Sequence, residues 1–254
     1  MPGLGCTDLE ALRLHVGDCH RCPLGETRTR VVFGVGDAGA RVMFIGEAPG
    51  KNEDLKGEPF VGAAGQLLNE LLAHAGLKRH EVYIANVLKC RPPGNRDPEP
   101  VEIETCTPFL REQIRLIGPD VLVTLGNFAT KFVLKTETGI TRLHGTVHAA
   151  GRFTVLPIFH PAAAIYDRTK RDALFSDFEK LRELLGERLE GAAAQGGDQA
   201  VSAASLNASC ELGEPLPGTA PGGAGPATGH TQPADDASPA SDAQPAGDTQ
   251  PRLF

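Results

Sequence analysis

Four cysteines are the first residues in this sequence whose type and spacing could do chemistry. Cys19 and Cys22 form a C-x-x-C, and Cys90 and Cys106 follow far along the chain. Four thiolates suit either a tetrahedral zinc or a cubane iron–sulfur cluster, because both take soft sulfur ligands. Spacing leaves those two open, beside the reading of free cysteine as a small buried hydrophobe. Cys6, near one end, and Cys210, in a polar tail, fall outside the set.

A second concentration lies at residues 46–65, "GEAPGKNEDLKGEPFVGAAG". Five glycines, two prolines and six charges surround a lone Phe60. Glycine exposes backbone N–H groups and lets a planar ligand approach closely. Glycine turns after a first strand are also common for purely structural reasons, so the stretch specifies no ligand by itself.

Hydrophobic patterning supplies the frame. A helix is expected around Asp8 to Val16. "RVMFIGEAPG" reads as a buried strand running into a glycine turn, and "AAGQLLNELLAHAGL" as an amphipathic helix stopped by Gly76. "EVYIANVLKC" and "PDVLVTLG" are further short β-branched runs, separated by a helix near Glu99 to Ile117, and "FTVLPIFHP" is a fourth strand ended by Pro161. The alternation predicts an α/β fold, a three-layer αβα sandwich on a central, mainly parallel sheet of about four strands. Ligands of such sheets bind beyond the carboxyl ends of the strands. Those ends are Gly46 to Gly50, Asn86 to Arg91, Gly126 with Asn127, and His160 with Pro161.

Charge divides the chain. Residues 1–186 hold 23 acidic and 23 basic side chains, whereas 187–254 hold 9 acidic and 2 basic, which accounts for the net charge of −7. The tail is rich in Ala, Gly, Pro, Ser and Asp and cannot offset its ordering entropy by burial, so disorder is expected over 187–249. One domain is expected over 1–186. No apolar run approaches the roughly 20 residues that span a bilayer, and the N-terminal stretch lacks the apolar core of a signal peptide. The expectation is a cytoplasmic monomer without membrane contact, in a compartment where cysteines serve metals better than disulfides.

"GEAPGKNEDLKGEPFVGAAGQLL", "NVLKCRPPGNR" and "HPAAAI", with the four cysteines in these places, resemble the family 4 uracil-DNA glycosylases, the iron–sulfur branch of that superfamily. The likeness covers roughly residues 9 to 186. It implies an αβα sandwich and a 4Fe-4S cluster held by Cys19, Cys22, Cys90 and Cys106; the resemblance, and not the spacing, selects iron over zinc. It also implies base excision repair by a monofunctional hydrolase that flips uracil from DNA and breaks its N-glycosidic bond.

The resemblance implies roles for single residues. Phe60 matches the aromatic that stacks on the flipped base, and Gly46 and Ala48 lie in the bare backbone that lines the pocket. Asn86 would read uracil, since a carboxamide can donate to O4 and accept from N3–H. Glu53 would stand beside C5 and exclude thymine. Glu47 would favour the cationic sugar and orient water, and His160 would donate to the developing uracil anion. In the segment after His160, Ile165 or Tyr166 would be the apolar wedge and Arg168 would lie near phosphate. Arg91, Arg96, Lys170 and Arg171 would add a local basic face.

Two departures stand out. Relatives that crosslink to uracil DNA carry a basic, histidine-bearing insertion after the Asn strand, and "KCRPPGNRDPEPVE" has none, so turnover is expected. "TRLHG" places His144 where many relatives carry arginine. The rival reading is an iron–sulfur module that binds damaged or single-stranded DNA without turnover; Glu47, Asn86 and His160 together argue against it. The final "QPRLF" resembles the peptides that engage the DNA sliding clamp, with Gln250, Leu253 and Phe254 as its anchors.

Overall fold

A computed structural model describes residues 4–195, with side chains described through residue 186. Helix α1 spans Leu9–Val16 and α2 Leu24–Thr27. The short strand β1 (Val35–Gly36) precedes β2 (Val42–Gly46), and helices α3 (Lys51–Lys56) and α4 (Ala63–His74) follow. Then come β3 (Tyr83–Asn86), α5 (Pro100–Ile117), β4 (Val121–Leu125), α6 (Gly126–Leu134) and α7 (Ile140–Leu143). Strands β5 (His148–Ala150) and β6 (Phe153–Ile158) lead into α8 (Arg168–Gln195).

Element ends follow local chemistry. Asp8 caps α1, its carboxylate accepting the Ala11 N–H at 2.8 Å, a contact of a kind that stabilises a helix by about 1 kcal/mol. Pro100 opens α5, where its missing N–H removes no helical bond, and Gly118 closes it in the left-handed conformation. Helix α8 continues to Gln195, past residue 186, through the helix-favouring "GAAAQ". The remainder of the linker expected over 187–249, the 250–254 peptide and Cys210 lie outside the described residues.

The sheet has six strands in the order β1-β3-β2-β4-β6-β5. Its centre is the expected parallel set of four, β3-β2-β4-β6. The two additional strands are antiparallel edges, β1 on β3 and β5 on β6. With two and three residues, they are too short to show a period of two in the sequence, and short edges also limit unwanted pairing.

Strands β2, β3 and β4 are buried along their whole length, as parallel strands covered on both faces must be. Alternate side chains feed two cores. Phe44 packs with Leu68 and Leu71 of α4 and stacks on Phe178 of α8 at 5.8 Å between centroids. Met43 and Ile45 face the other way, with Leu110 and Ile114 of α5 and Phe132 of α6. The three layers follow from this division. A third cluster joins α1 to α5 through Leu12, Val16 and Phe109, and all four expected cysteine ligands belong to it or pack against it. Cys6 is buried in the same cluster. Among the described residues no helix is long and apolar enough to cross a membrane.

Candidate active site and cysteine cluster

Register in the sheet sets the site. Gly46 and Asn86 are direct partners at the carboxyl ends of β2 and β3. The ladder continues past them, with the Val87 N–H on the Gly46 carbonyl at 2.9 Å and the Leu88 N–H on that of Glu47 at 3.0 Å. A Cβ on Gly46 would overlap the Asn86 carboxamide oxygen and stand 3.0 Å from the Phe60 ring. Bare backbone at 46 is therefore what lets Asn86 and Phe60 converge.

Phe60 has φ 54°, a left-handed conformation that is strained for an aromatic residue. Its surroundings hold it there. Glu53 Oε1 accepts the N–H groups of Val61 at 2.9 Å and Gly62 at 3.0 Å. Arg79 Nη2 donates to the Pro59 carbonyl at 2.6 Å. Gly65 leaves room for the Phe60 carbonyl, which any Cβ would meet. Glu53 thus both borders the pocket and clamps the turn that carries Phe60. Arg79 was invisible to sequence reading, because only the fold brings it across from the far end of α4.

His160 lies with its ring centroid 5.6 Å from that of Phe60, the planes 30° apart. Its Nδ1 accepts the Ala162 N–H at 3.1 Å. That bond fixes the tautomer, so the proton of the neutral ring resides on Nε2. Burial pulls the His160 pKa down to about 4, against a smaller opposing effect from the Glu53 charge. Gly126 at the end of β4 makes room behind it; a Cβ there would come within 3.0 Å of the His160 Cβ.

Burial, and then the negative charge of Asp97, push the Glu47 carboxyl above the usual carboxylate range. Asn86 is only 2% exposed, yet among the described residues its Oδ1 has no hydrogen-bond partner. Buried acceptors are normally paired, so an unpaired one in a cavity wall is a candidate ligand contact.

These groups enclose a cavity of about 380 Å³. Glu47, Ala48, Glu53, Phe60, Asn86 and His160 all line it, with Gly46 beneath the contact between Asn86 and Phe60. Arg96, expected on the basic face, lines the cavity too, and beside it Pro92 and Asn95 form a wall that the sequence did not single out. Its one signal was the "PPGN" turn, where Asn95 has φ 57° and accepts from Arg91 Nε at 2.7 Å.

Ile165, Tyr166 and Arg168 do not line the cavity. They follow the turn Pro161–Ala164 on the same segment as Ala162, which does line it. Tyr166 is 97% exposed and Ile165 half-buried, while Arg168 is exposed and 4.0 Å from Asp172. The expected basic face is largely neutralised from within. Arg96 pairs with Glu102 at 2.6 Å, Lys170 with Asp167 at 2.8 Å and Arg171 with Glu70 at 2.6 Å. His144 turns inward, its Nδ1 3.1 Å from buried Asp177 and its ring 4.3 Å from that of Phe159. Gln250, Leu253 and Phe254 lie outside the described residues.

The four cysteines converge from the connection between α1 and α2, the segment after β3, and α5. Cys90 and Cys106 are buried and Cys19 and Cys22 half-buried. Each meets a hydrogen-bond donor. Arg21 Nη1 reaches Cys19 Sγ at 3.4 Å, the Leu24 and Gly25 N–H groups face Cys22, buried Arg28 faces Cys90, and the Lys89 N–H reaches Cys106 Sγ at 3.5 Å. Burial drives the Cys90 thiol up to about 12 and that of Cys106 to about 11. Among the described residues, no three His, Cys, Asp or Glu side chains form a site for a single metal ion.

Residues 33–184 match the model of the uracil DNA glycosylase superfamily. The type-4 uracil-DNA glycosylase of Archaeoglobus fulgidus is 47% identical over 188 residues, covering 71% of this chain and 94% of that protein. Its Thermotoga maritima counterpart is 42% identical over 181 residues, 70% of this chain and 94% of the relative. A type-5 uracil-DNA glycosylase of Pyrobaculum aerophilum is more distant, 34% identical over 144 residues, half of this chain and 63% of its own length. Matches of this extent, over a glycine-lined cavity at the strand ends, mean that the chain belongs to the type-4 branch of the uracil-DNA glycosylase superfamily.

Proposed function

We propose that this chain excises uracil from DNA, hydrolysing the N-glycosidic bond to leave an abasic site. The carrying observation is the buried, unpaired Oδ1 of Asn86 in the cavity wall. Uracil N3–H is a fitting donor for it, while the carboxamide N–H donates to O4. Cytosine lacks the N3 proton and would leave Oδ1 unpaired, a penalty of about 1 to 3 kcal/mol. Phe60 supplies the flat wall for a flipped base.

The chemistry follows from the two catalytic groups. As the C1′–N1 bond breaks, its electron pair leaves with N1 and spreads to O2, where the His160 Nε2–H donates. A neutral imidazole serves, since an oriented donor in a dry site needs no full charge. The Glu47 carboxylate favours the cationic sugar and orients the water whose oxygen bonds to C1′; the water's proton ends on uracil or solvent. Free uracil released from a uracil oligonucleotide, and not thymine from the matched strand, tests the reading. Binding without release would favour the DNA-binding module instead.

The cysteines support a 4Fe-4S cluster on Cys19, Cys22, Cys90 and Cys106. Four thiols pack in or against one cluster with N–H donors aimed at them, and the likeness to the type-4 enzymes selects iron over zinc. The bound cluster supplies a cross-link between α1–α2 and the 90–106 segment. Cys90→Ala is expected to lose iron, sulfide and brown colour together with solubility, because ligation and folding are coupled. A colourless, zinc-loaded, fully active protein would overturn this.

Full exposure supports Tyr166 as the wedge, with Ile165 behind it and Arg168 near phosphate. The enzyme would work as a cytoplasmic monomer. The clamp proposal rests on sequence: a linker of about 60 residues has an r.m.s. span of roughly 40 to 50 Å, long enough to search DNA near a tethered clamp. Deleting 250–254 is expected to abolish clamp binding and spare excision from a short oligonucleotide. Equal clamp binding by both proteins defeats it.

A further inference from the structure

Lys89 is 1% exposed, and the mechanism above makes no use of it. Among the described residues it has no carboxylate partner. Its Nζ instead donates to the Asn86 carbonyl at 2.7 Å and to Gln113 Oε1 at 2.6 Å. Gln113 is itself fixed, its Nε2 donating to the Phe33 carbonyl at 2.8 Å and the Tyr83 hydroxyl at 3.2 Å. The Lys89 backbone is also engaged: its N–H points to Cys106 Sγ, and its carbonyl accepts the Val32 N–H at 2.7 Å. One residue, by side chain and backbone together, therefore joins the end of β3, α5 and the segment before β1, next to the cysteine cluster.

We propose that Lys89 is a positioning residue for uracil recognition: its buried amine holds the Asn86 peptide, and through it the aim of the Asn86 carboxamide into the cavity. This rests on the base-reading role of Asn86 given above. Among the described residues Asn86 Oδ1 has no partner, so none of their hydrogen bonds to that atom sets its direction. Gly46 gives it room but does not orient it. The backbone beneath is a further constraint on it, and the Asn86 carbonyl is tied to the Lys89 amine three residues on. An apolar side chain of similar length would fill the same space, since packing asks for volume and not for an amine. The amine is needed for the two bonds that it makes. Because Cys90 follows Lys89 directly and Cys106 accepts from its N–H, the same residue couples the cluster segment to the base reader.

Lys89→Met in the full-length, iron-loaded protein separates this role from structural damage. Iron and labile sulfide report the cluster, abasic-site DNA affinity reports the rest of the site, and inhibition by free uracil reports base recognition. The expected result is wild-type cluster content and abasic DNA affinity, with uracil inhibition weakened at least tenfold. Uracil inhibition within twofold of wild type, or equal losses of uracil and abasic DNA binding, overturns the proposal. Where Lys89→Met does not fold, Gln113→Met leaves the lysine in place and frees its amine from one anchor. Uracil inhibition must then weaken in the same direction, and unchanged inhibition overturns the proposal. A wild-type protein that releases no uracil would instead reject the excision reading.

Discussion

Gly46 and Asn86 are register partners at the strand ends, and the Asn86 carboxamide oxygen occupies the space where a Gly46 Cβ would be. Gly46→Ala must therefore push aside Asn86, Phe60 or the strand itself. Overpacking of this kind costs about 1 to 3 kcal/mol. Single-turnover uracil release is expected to fall roughly 10- to 100-fold, while the melting temperature changes little if the carboxamide yields first. Wild-type release by the variant contradicts the convergence described.

The tautomer at His160 makes a second prediction. With Nδ1 committed to the Ala162 N–H, the ring has one donor to offer, and His160→Ala removes it. Loss of a single such donor costs roughly 2 to 4 kcal/mol in the chemical step. Rapid-quench measurement at saturating enzyme isolates that step. Unchanged cleavage would remove His160 from the mechanism.

Acid dependence should come from Glu47. Its pKa is raised by burial and by Asp97, while His160 stays neutral until pH falls to about 4. The carboxylate is the active form, so the rate falls as pH drops through the raised Glu47 pKa, above the ordinary glutamate range. Asp97→Asn removes a neighbouring negative charge, favours the carboxylate and shifts this limb to lower pH. The linkage has the matching sign: a carboxyl whose pKa is raised on folding contributes stability below its unfolded pKa and loses it as pH rises through the folded value. Glu47→Gln should therefore raise the melting temperature relative to wild type more at pH 8 than at pH 4. A pH-independent difference would refute this account.

Arg79 and Glu53 hold the strained Phe60 turn from its two sides. Backbone strain of about 1 to 3 kcal/mol persists only while such contacts maintain it. Arg79→Met should relax the turn, raising KM for a uracil oligonucleotide about tenfold with little effect on the melting temperature. Equal KM values would show that the turn is self-supporting.

The four central strands, the helix bounds near Asp8 and Glu99, and the position of the site at the strand ends were legible in the sequence. Each rests on local patterning: runs of buried side chains, capping residues, and glycine where strands end. The resemblance then named Glu47, Glu53, Phe60, Asn86 and His160, and the fold gathers all five around one cavity. What no local pattern carried was decided by contacts between distant segments. The edge strands β1 and β5 exist because the sheet offers them partners. Arg79 reaches Pro59, His144 turns onto Asp177, and the expected cationic face spends Arg96, Lys170 and Arg171 on nearby carboxylates. No local pattern marks Lys89, and only the packing of α5 over β3 buries it and aims its amine at the Asn86 carbonyl. Sequence determined which residues could do the chemistry, because type and local spacing are written along the chain. Tertiary structure decided what holds each in place, because those partners meet only after the layers have packed.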